Sequence, residues 1–109
     1  MRSLSVDQLR AFTATEPQAL LLDVREPWEV QLARIELPGI AALHIPMNDI
    51  PQRLDEIDAL QPVVCICHHG VRSAQVVAFL QQHGCLRVYN LAGGIDAWSA
   101  QIDHAVPQY

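Results

Sequence analysis

Lysine is missing from this chain altogether, and its seven basic residues are all arginines, scattered from Arg2 to Arg87. With 12 acidic residues and a net charge of −5 when the histidines are neutral, there is no basic stripe for nucleic-acid phosphates to follow, so a nucleic-acid partner is not expected. Long apolar runs are missing too. Ala19-Leu20-Leu21-Leu22 and Val63-Val64-Cys65-Ile66 fall far short of the roughly 18 residues that span a bilayer, and no membrane partner is expected. Met1-Arg2-Ser3-Leu4-Ser5-Val6-Asp7 turns polar at once and lacks the apolar centre of a secretory signal. Cysteine is scarce and odd in number, three, with Cys65 and Cys67 only two positions apart. That is no disulfide framework, and a reducing cytoplasm is the expected compartment.

What remains is globular: half of the 109 residues are apolar, enough for one core and too few for two domains. The expected arrangement is a single domain over 1–109, with its core at about 5–100 and a C-terminal tail at 101–109. Ser5-Val6-Asp7-Gln8 reads as a capping box opening a short helix, with Val6, Leu9 and Phe12 on its inner face. Ala19 to Val24 is a continuous apolar run ending around Asp23, as suits a strand buried on both faces. Pro27 opens a helix running through Val30 to Ala33. After the Pro38-Gly39 turn, Ala42-Leu43-His44-Ile45 is a second strand stopped by Pro46, and Pro51 starts a helical stretch with Leu54, Ile57 and Leu60 inward.

Val63 to Ile66 is the third strand. A helix then begins at Ser73 or Ala74, with Val76, Val77, Phe79 and Leu80 as its apolar stripe and Gly84 as its stop. Arg87-Val88-Tyr89-Asn90 is a last short strand, Gly93-Gly94 a tight turn, and Ile95 to Ala100 a final helix carrying Trp98. Strands alternating with helices imply an α/β fold with a central parallel sheet and helices on both faces. In such sheets the ligand crevice lies outside the carboxyl ends of the strands.

Cys67-His68-His69-Gly70-Val71-Arg72-Ser73 stands at such an end, between a buried strand and a helix. A turn at a helix N-terminus offers unpaired backbone N–H groups and a favourable dipole to anions. Cys67 is placed there as a nucleophile, because the thiolate is the reactive form and a helix N-terminus or a nearby arginine favours it. The N–H groups of His68, His69, Gly70, Val71 and Ser73 can cradle a small anion, and Arg72 adds a fixed cation with planar donors.

This loop, with Leu22-Asp23-Val24-Arg25-Glu26, His44-Ile45-Pro46 and Val88-Tyr89-Asn90-Leu91-Ala92-Gly93-Gly94-Ile95-Asp96-Ala97-Trp98, resembles a single-domain rhodanese, a sulfurtransferase. The matching segments run in family order from about Leu20 to Trp98. The resemblance implies a thiosulfate sulfurtransferase-like enzyme without metal or organic cofactor. Cys67 would take the outer sulfur of a small anion such as thiosulfate, or of a persulfide donor, and pass it to a thiol, cyanide or protein acceptor. Arg72 is then the candidate for the donor's sulfonate, against the plainer alternative of a pair with a surface carboxylate. Related phosphatases with this architecture carry one residue more between cysteine and arginine than the four here, which disfavours phosphate as the substrate. A sulfur-relay or partner-binding module with little free turnover is the other alternative.

Several neighbours have plainer readings. Cys65 could be a redox partner but reads better as a small buried hydrophobe, and Cys85 as packing. His68 and His69 could donate to an anion or change charge near neutral pH, or simply be solvated. Zinc held by Cys65, Cys67, His68 and His69 is disfavoured, because adjacent ligands cannot surround one tetrahedral ion. Asp23 and Arg25 read as an ion pair that supports the loop. Where the family often has a His-Ile pair before the Pro-Gly turn, this chain has Arg34-Ile35-Glu36-Leu37.

Overall fold

The computed structural model describes residues 1–109. Strands β1 (Ser3–Leu4), β2 (Leu20–Asp23), β3 (Ala41–His44), β4 (Val63–Ile66) and β5 (Val88–Leu91) form one parallel sheet in the order β1-β5-β4-β2-β3. Helices α1 (Val6–Thr15), α2 (Pro27–Leu32), α3 (Val71–Gln82) and α4 (Gly94–Gln101) cover its faces, and Met47–Asp49 and Pro51–Glu56 are 3₁₀ turns. The α/β architecture with helices on both faces is the one expected from the alternation of elements.

Alternation along the strands builds two cores. Leu20, Leu22, Val63, Cys65 and Val88 face Val76, Val77 and Leu80 of α3, together with Ile45, Ile50 and Ile57. Leu21, Val64, Ile66 and Leu91 face Val6 and Leu9 of α1 and Ile95 and Trp98 of α4. Each fully buried Leu, Ile or Val side chain contributes roughly 1.5–3 kcal/mol, so the central strands, apolar on both faces, anchor the sheet.

Local signals set the helix starts. The Ser5 N–H donates to Gln8 Oε1 at 3.0 Å, closing the expected capping box of α1. Glu26 plays the same part before Pro27, its N–H donating to Glu29 Oε2 at 2.9 Å. α3 begins at Val71, earlier than the expected Ser73 or Ala74, because Gly70 at φ +98° turns the chain directly into the helix. It stops as expected at Gly84, which takes φ +90° while the Cys85 N–H reaches back to Leu80 O.

One expectation needs correction, and two features add to the sequence reading. The helical stretch after Pro51 is 3₁₀ and kinks at Arg53; Ile57 is buried and Leu54 half-buried as expected, but Leu60, beyond the last turn, is exposed rather than inward. β1, two residues pairing with Asn90 and Leu91, is too short to show in the pattern and extends the fold ahead of residue 5. In the C-terminal tail, Ile102, Val106 and Tyr109 pack against the second core.

Candidate functional site

β4 is a central strand, flanked by β5 and β2. The chain leaving β2 joins its neighbour β3 on one side, whereas the chain leaving β4 crosses to β5 on the other. The two connections diverge and leave a crevice where β4 ends. Cys67 is the first residue of that exit and is only 1% exposed.

Its sulfur has three polar neighbours. Gly70 N–H donates to Sγ at 3.1 Å, and Ser73 N–H at 3.3 Å. These are the N-cap amide and one of the free first-turn amides of α3, groups that no intrahelical carbonyl can satisfy. The Ser73 hydroxyl lies 3.2 Å from Sγ. Ser73 Oγ also lies 2.5 Å from Asn90 Oδ1, and Asn90 Nδ2 donates to Gly70 O at 3.0 Å. Asn90 at the end of β5 thus ties the serine to the glycine carbonyl.

The other side of the loop is gripped by α4. Ile95 N–H donates to Cys67 O at 2.9 Å and Asp96 N–H to His68 O at 3.0 Å. This approach requires Gly94, since a Cβ there would overlap both carbonyls, and its φ of +60° is itself unfavourable for a side chain. The glycine pair, read from sequence as a turn, shapes the loop as well.

Arg72 does not reach toward the sulfur. Its guanidinium makes a bidentate pair with Glu29 of α2, at 2.7 and 2.8 Å. Glu29 is buried and also accepts from the Glu26 N–H and the Tyr109 hydroxyl. Arg72 chiefly, with those two donors against the opposing effect of burial, holds the Glu29 carboxyl down at about 2.

Arg25 is wholly buried and binds the Asp23 carboxylate through Nε and NH2 at 2.9 and 2.6 Å. It also donates to Ala33 O at 2.7 Å and to the Tyr109 hydroxyl at 2.8 Å. Asp23 and Arg25 therefore form a buried ion pair at the end of β2, and neither hydrogen-bonds to Cys67 Sγ.

His68 lies between two rings, 3.8 Å from Tyr109 and 4.0 Å from His69. Burial first, then the neighbouring His69, holds His68 below the ordinary histidine value. His69 is exposed, with Nδ1 3.8 Å from the Asp96 carboxylate. His68, His69 and Asp96 are the cluster nearest to a metal-binding set. The imidazoles stack within 25° of parallel, so their in-plane lone pairs do not converge on one ion.

Cys65 lies on the same face of the sheet as Cys67, and burial, with smaller effects from Cys85 and Cys67, pushes its thiol up. Burial does the same to Cys85. Neither has the environment of a reactive thiol. A cleft of about 460 Å³, lined by Val30, Ile35, Leu37 and Leu43 among others, opens between α2 and β3 and does not include Cys67.

Sequence reasoning missed Glu29, Tyr109 and the role of Asn90. Glu29 stands at the capping-box position of a helix opened by Pro27, a signal that reads as local. Nothing in the sequence marks Tyr109.

The family model of the rhodanese-like domain matches residues 5–101. A sulfurtransferase from Allochromatium vinosum is 38% identical over 107 residues, covering 98% of this chain and 94% of that one. The thiosulfate sulfurtransferase GlpE of Vibrio cholerae is 32% identical, covering 76% of this chain and 74% of its own. Among solved structures, a rhodanese-like domain protein from Staphylococcus aureus superposes with a TM-score of 0.80 at 30% identity, covering 100% of this chain and 99% of that one.

Proposed function

Since this chain belongs to the family of rhodanese-like domains, we propose that it moves a sulfane sulfur through a persulfide on Cys67. The observation that carries this reading is the pair of backbone N–H groups, from Gly70 and Ser73, directed at Sγ. Such donors stabilise negative charge on sulfur and need no reorganisation when it forms.

In the first step the Cys67 thiolate attacks the outer sulfur of a donor such as thiosulfate. A bond from Sγ to that sulfur forms, the donor's S–S bond breaks, and sulfite leaves with the electron pair. In the second, an acceptor thiolate or cyanide attacks the outer sulfur, and Cys67 departs as thiolate. No metal or organic cofactor takes part.

The engagement of Arg72 with Glu29 favours a second reading of the donor. A sulfonate would have to compete with a buried carboxylate for the loop's guanidinium, whereas a less charged persulfide on a thiol or protein would not. The domain then acts as a sulfur relay. Thiocyanate formation from cyanide tests the two, with thiosulfate or a protein persulfide as donor. Faster turnover with the protein persulfide supports the relay, faster turnover with thiosulfate supports the free enzyme, and Cys67→Ser abolishes both. Undiminished turnover in Cys67→Ser rules out the reading.

A further inference from the structure

Six large apolar side chains stand exposed on this protein, and three of them gather on the two helices beside the Cys67 loop. Met1, Leu60 and Leu86 precede β1, β4 and β5, and so lie toward the amino ends of the parallel strands, away from the sulfur. Trp28 and Leu32 are one turn apart on α2 and are 59% and 50% exposed. Val71, 69% exposed, opens α3. The Glu29–Arg72 pair brings these two helices together, and Trp28 and Val71 are the residues just before its two partners. Trp28 meets Tyr109 edge to face with 6.1 Å between ring centres, Tyr109 stacks on His68, and His68 on His69. An apolar and aromatic surface thus runs from α2 to the loop itself. Isolated exposed apolar residues are ordinary, but a contiguous patch marks a place where something docks.

We propose that this surface docks an apolar, non-acidic protein segment bearing the cysteine that takes the sulfur from Cys67. The proposal rests on the reading of Cys67 as the sulfur carrier and names the partner it serves. Sγ is held by the Gly70 and Ser73 N–H groups, and Cys67 is almost wholly buried, whereas His69 and Val71 are the loop side chains that face outward. An acceptor therefore arrives past them, and the body that delivers it lies against the surface beside them. Cyanide is too small to use that surface. A segment covering Trp28 and Tyr109 buries aromatic area of the kind that anchors protein interfaces. Within the patch the Arg72 and Glu29 charges cancel, while exposed Glu26 and the Asp96 carboxylate near His69 border it and repel an acidic partner. In the transfer, the thiolate of the segment's cysteine attacks the outer sulfur of the Cys67 persulfide. A new S–S bond forms, the bond to Sγ breaks with its electron pair staying on Cys67, and the segment leaves as the persulfide.

The test uses protein loaded with one sulfur atom from thiosulfate or a low-molecular-weight persulfide. Its single-turnover discharge is followed by intact mass with cyanide or with three short peptides, whose one cysteine is flanked by Leu and Phe, by two Ser or by two Asp. Each peptide rate is divided by that of the same peptide with a small disulfide, which removes differences in thiol reactivity. The Leu-Phe peptide should discharge the protein about tenfold faster than the Ser peptide, with the Asp peptide slowest. Trp28→Ser and Leu32→Ser should each abolish most of that advantage and leave discharge by cyanide unchanged, and Leu86→Ser, on a distant exposed leucine, should change neither. Equal rates for the Leu-Phe and Ser peptides would overturn the proposal. So would an advantage that survives in both Trp28→Ser and Leu32→Ser, or a parallel fall with cyanide, which would mean that the variants disturb the loop rather than a docking surface. In each of those cases a protein that still loads sulfur and yields it to cyanide leaves the sulfur-carrier reading standing; a protein that loads none overturns both.

Discussion

Glu29 and Arg72 are 43 residues apart in sequence and lock two helices together through a bidentate pair, with the carboxylate buried and the guanidinium about a third exposed. The pair fixes the first turn of α3, and with it the amides that face Cys67. It also removes from the loop the cation that the sequence offers for a donor's sulfonate. Arg72 orders the cradle, and backbone N–H groups supply its positive potential.

Acid should expose this pair. The folded-state value of Glu29 is about 2, below its ordinary value of 4.5, so its stabilisation is complete above pH 4.5 and disappears as pH falls through 2. The shift corresponds to roughly 2–3 kcal/mol once the partial exposure of Arg72 is discounted. Glu29→Gln should be less stable than wild type by about that amount at pH 7 in urea unfolding, and the gap should close between pH 4.5 and 2. A gap independent of pH would mean that the carboxylate charge is not what matters.

Gly94→Ala tests the grip of α4 on the loop. A methyl group there meets the carbonyl oxygens of Cys67 and His68, both backbone and unable to swing aside. We expect a loss of roughly 2–4 kcal/mol in thermal or denaturant unfolding, with slower Cys67 alkylation or sulfur loading in any folded fraction. Gly39→Ala is the control, since it shares a positive φ of 76° but has open space around it. The two variants should differ by the steric part of the cost.

Tyr109 joins the tail to the loop by two separable means. Tyr109→Phe keeps the stack on His68 but removes the hydroxyl shared by Arg25 and Glu29, leaving the buried Arg25 with one acceptor fewer. A destabilisation of about 1–2 kcal/mol is expected. Tyr109→Ala should cost more and also make His68 easier to protonate, because burial is the main reason its proton affinity is low. Histidine NMR titration reads that directly, and an unchanged His68 in Tyr109→Ala would contradict it.

Cys65→Ala should leave sulfur loading intact. Cys65 sits in a desolvated strand with its thiol pushed up by burial, and the substitution removes a small core side chain at a cost of about 1 kcal/mol. Loss of loading in a stably folded Cys65→Ala would show a second thiol in the reaction.

Most of the scaffold was legible because its signals are local. The apolar run Val63–Ile66 became β4 with the same ends, and Ser5 with Gln8 capped α1 as the pattern implied. The position of Cys67 at a strand end followed from that alternation. What did not show in the sequence depends on contacts between distant segments. The Glu29 carboxylate reads as a capping residue until α3 is packed beside α2. Asn90 reads as a strand residue until β5 is placed next to β4, and Tyr109 as tail until it folds back onto His68. The segment after Pro51 is 3₁₀, kinks at Arg53 and leaves Leu60 outside, a geometry that its apolar spacing does not show.

The central claim is that Cys67 carries the transferred sulfur, and intact-protein mass spectrometry tests it most directly. After incubation with thiosulfate or with a low-molecular-weight persulfide, the wild-type mass should rise by one sulfur atom, with the added atom mapping to the Cys67 peptide and removed by cyanide or reductant. Cys67→Ser should gain nothing. A wild-type protein that takes up no sulfur from either donor, or takes it up equally well without Cys67, would contradict the account.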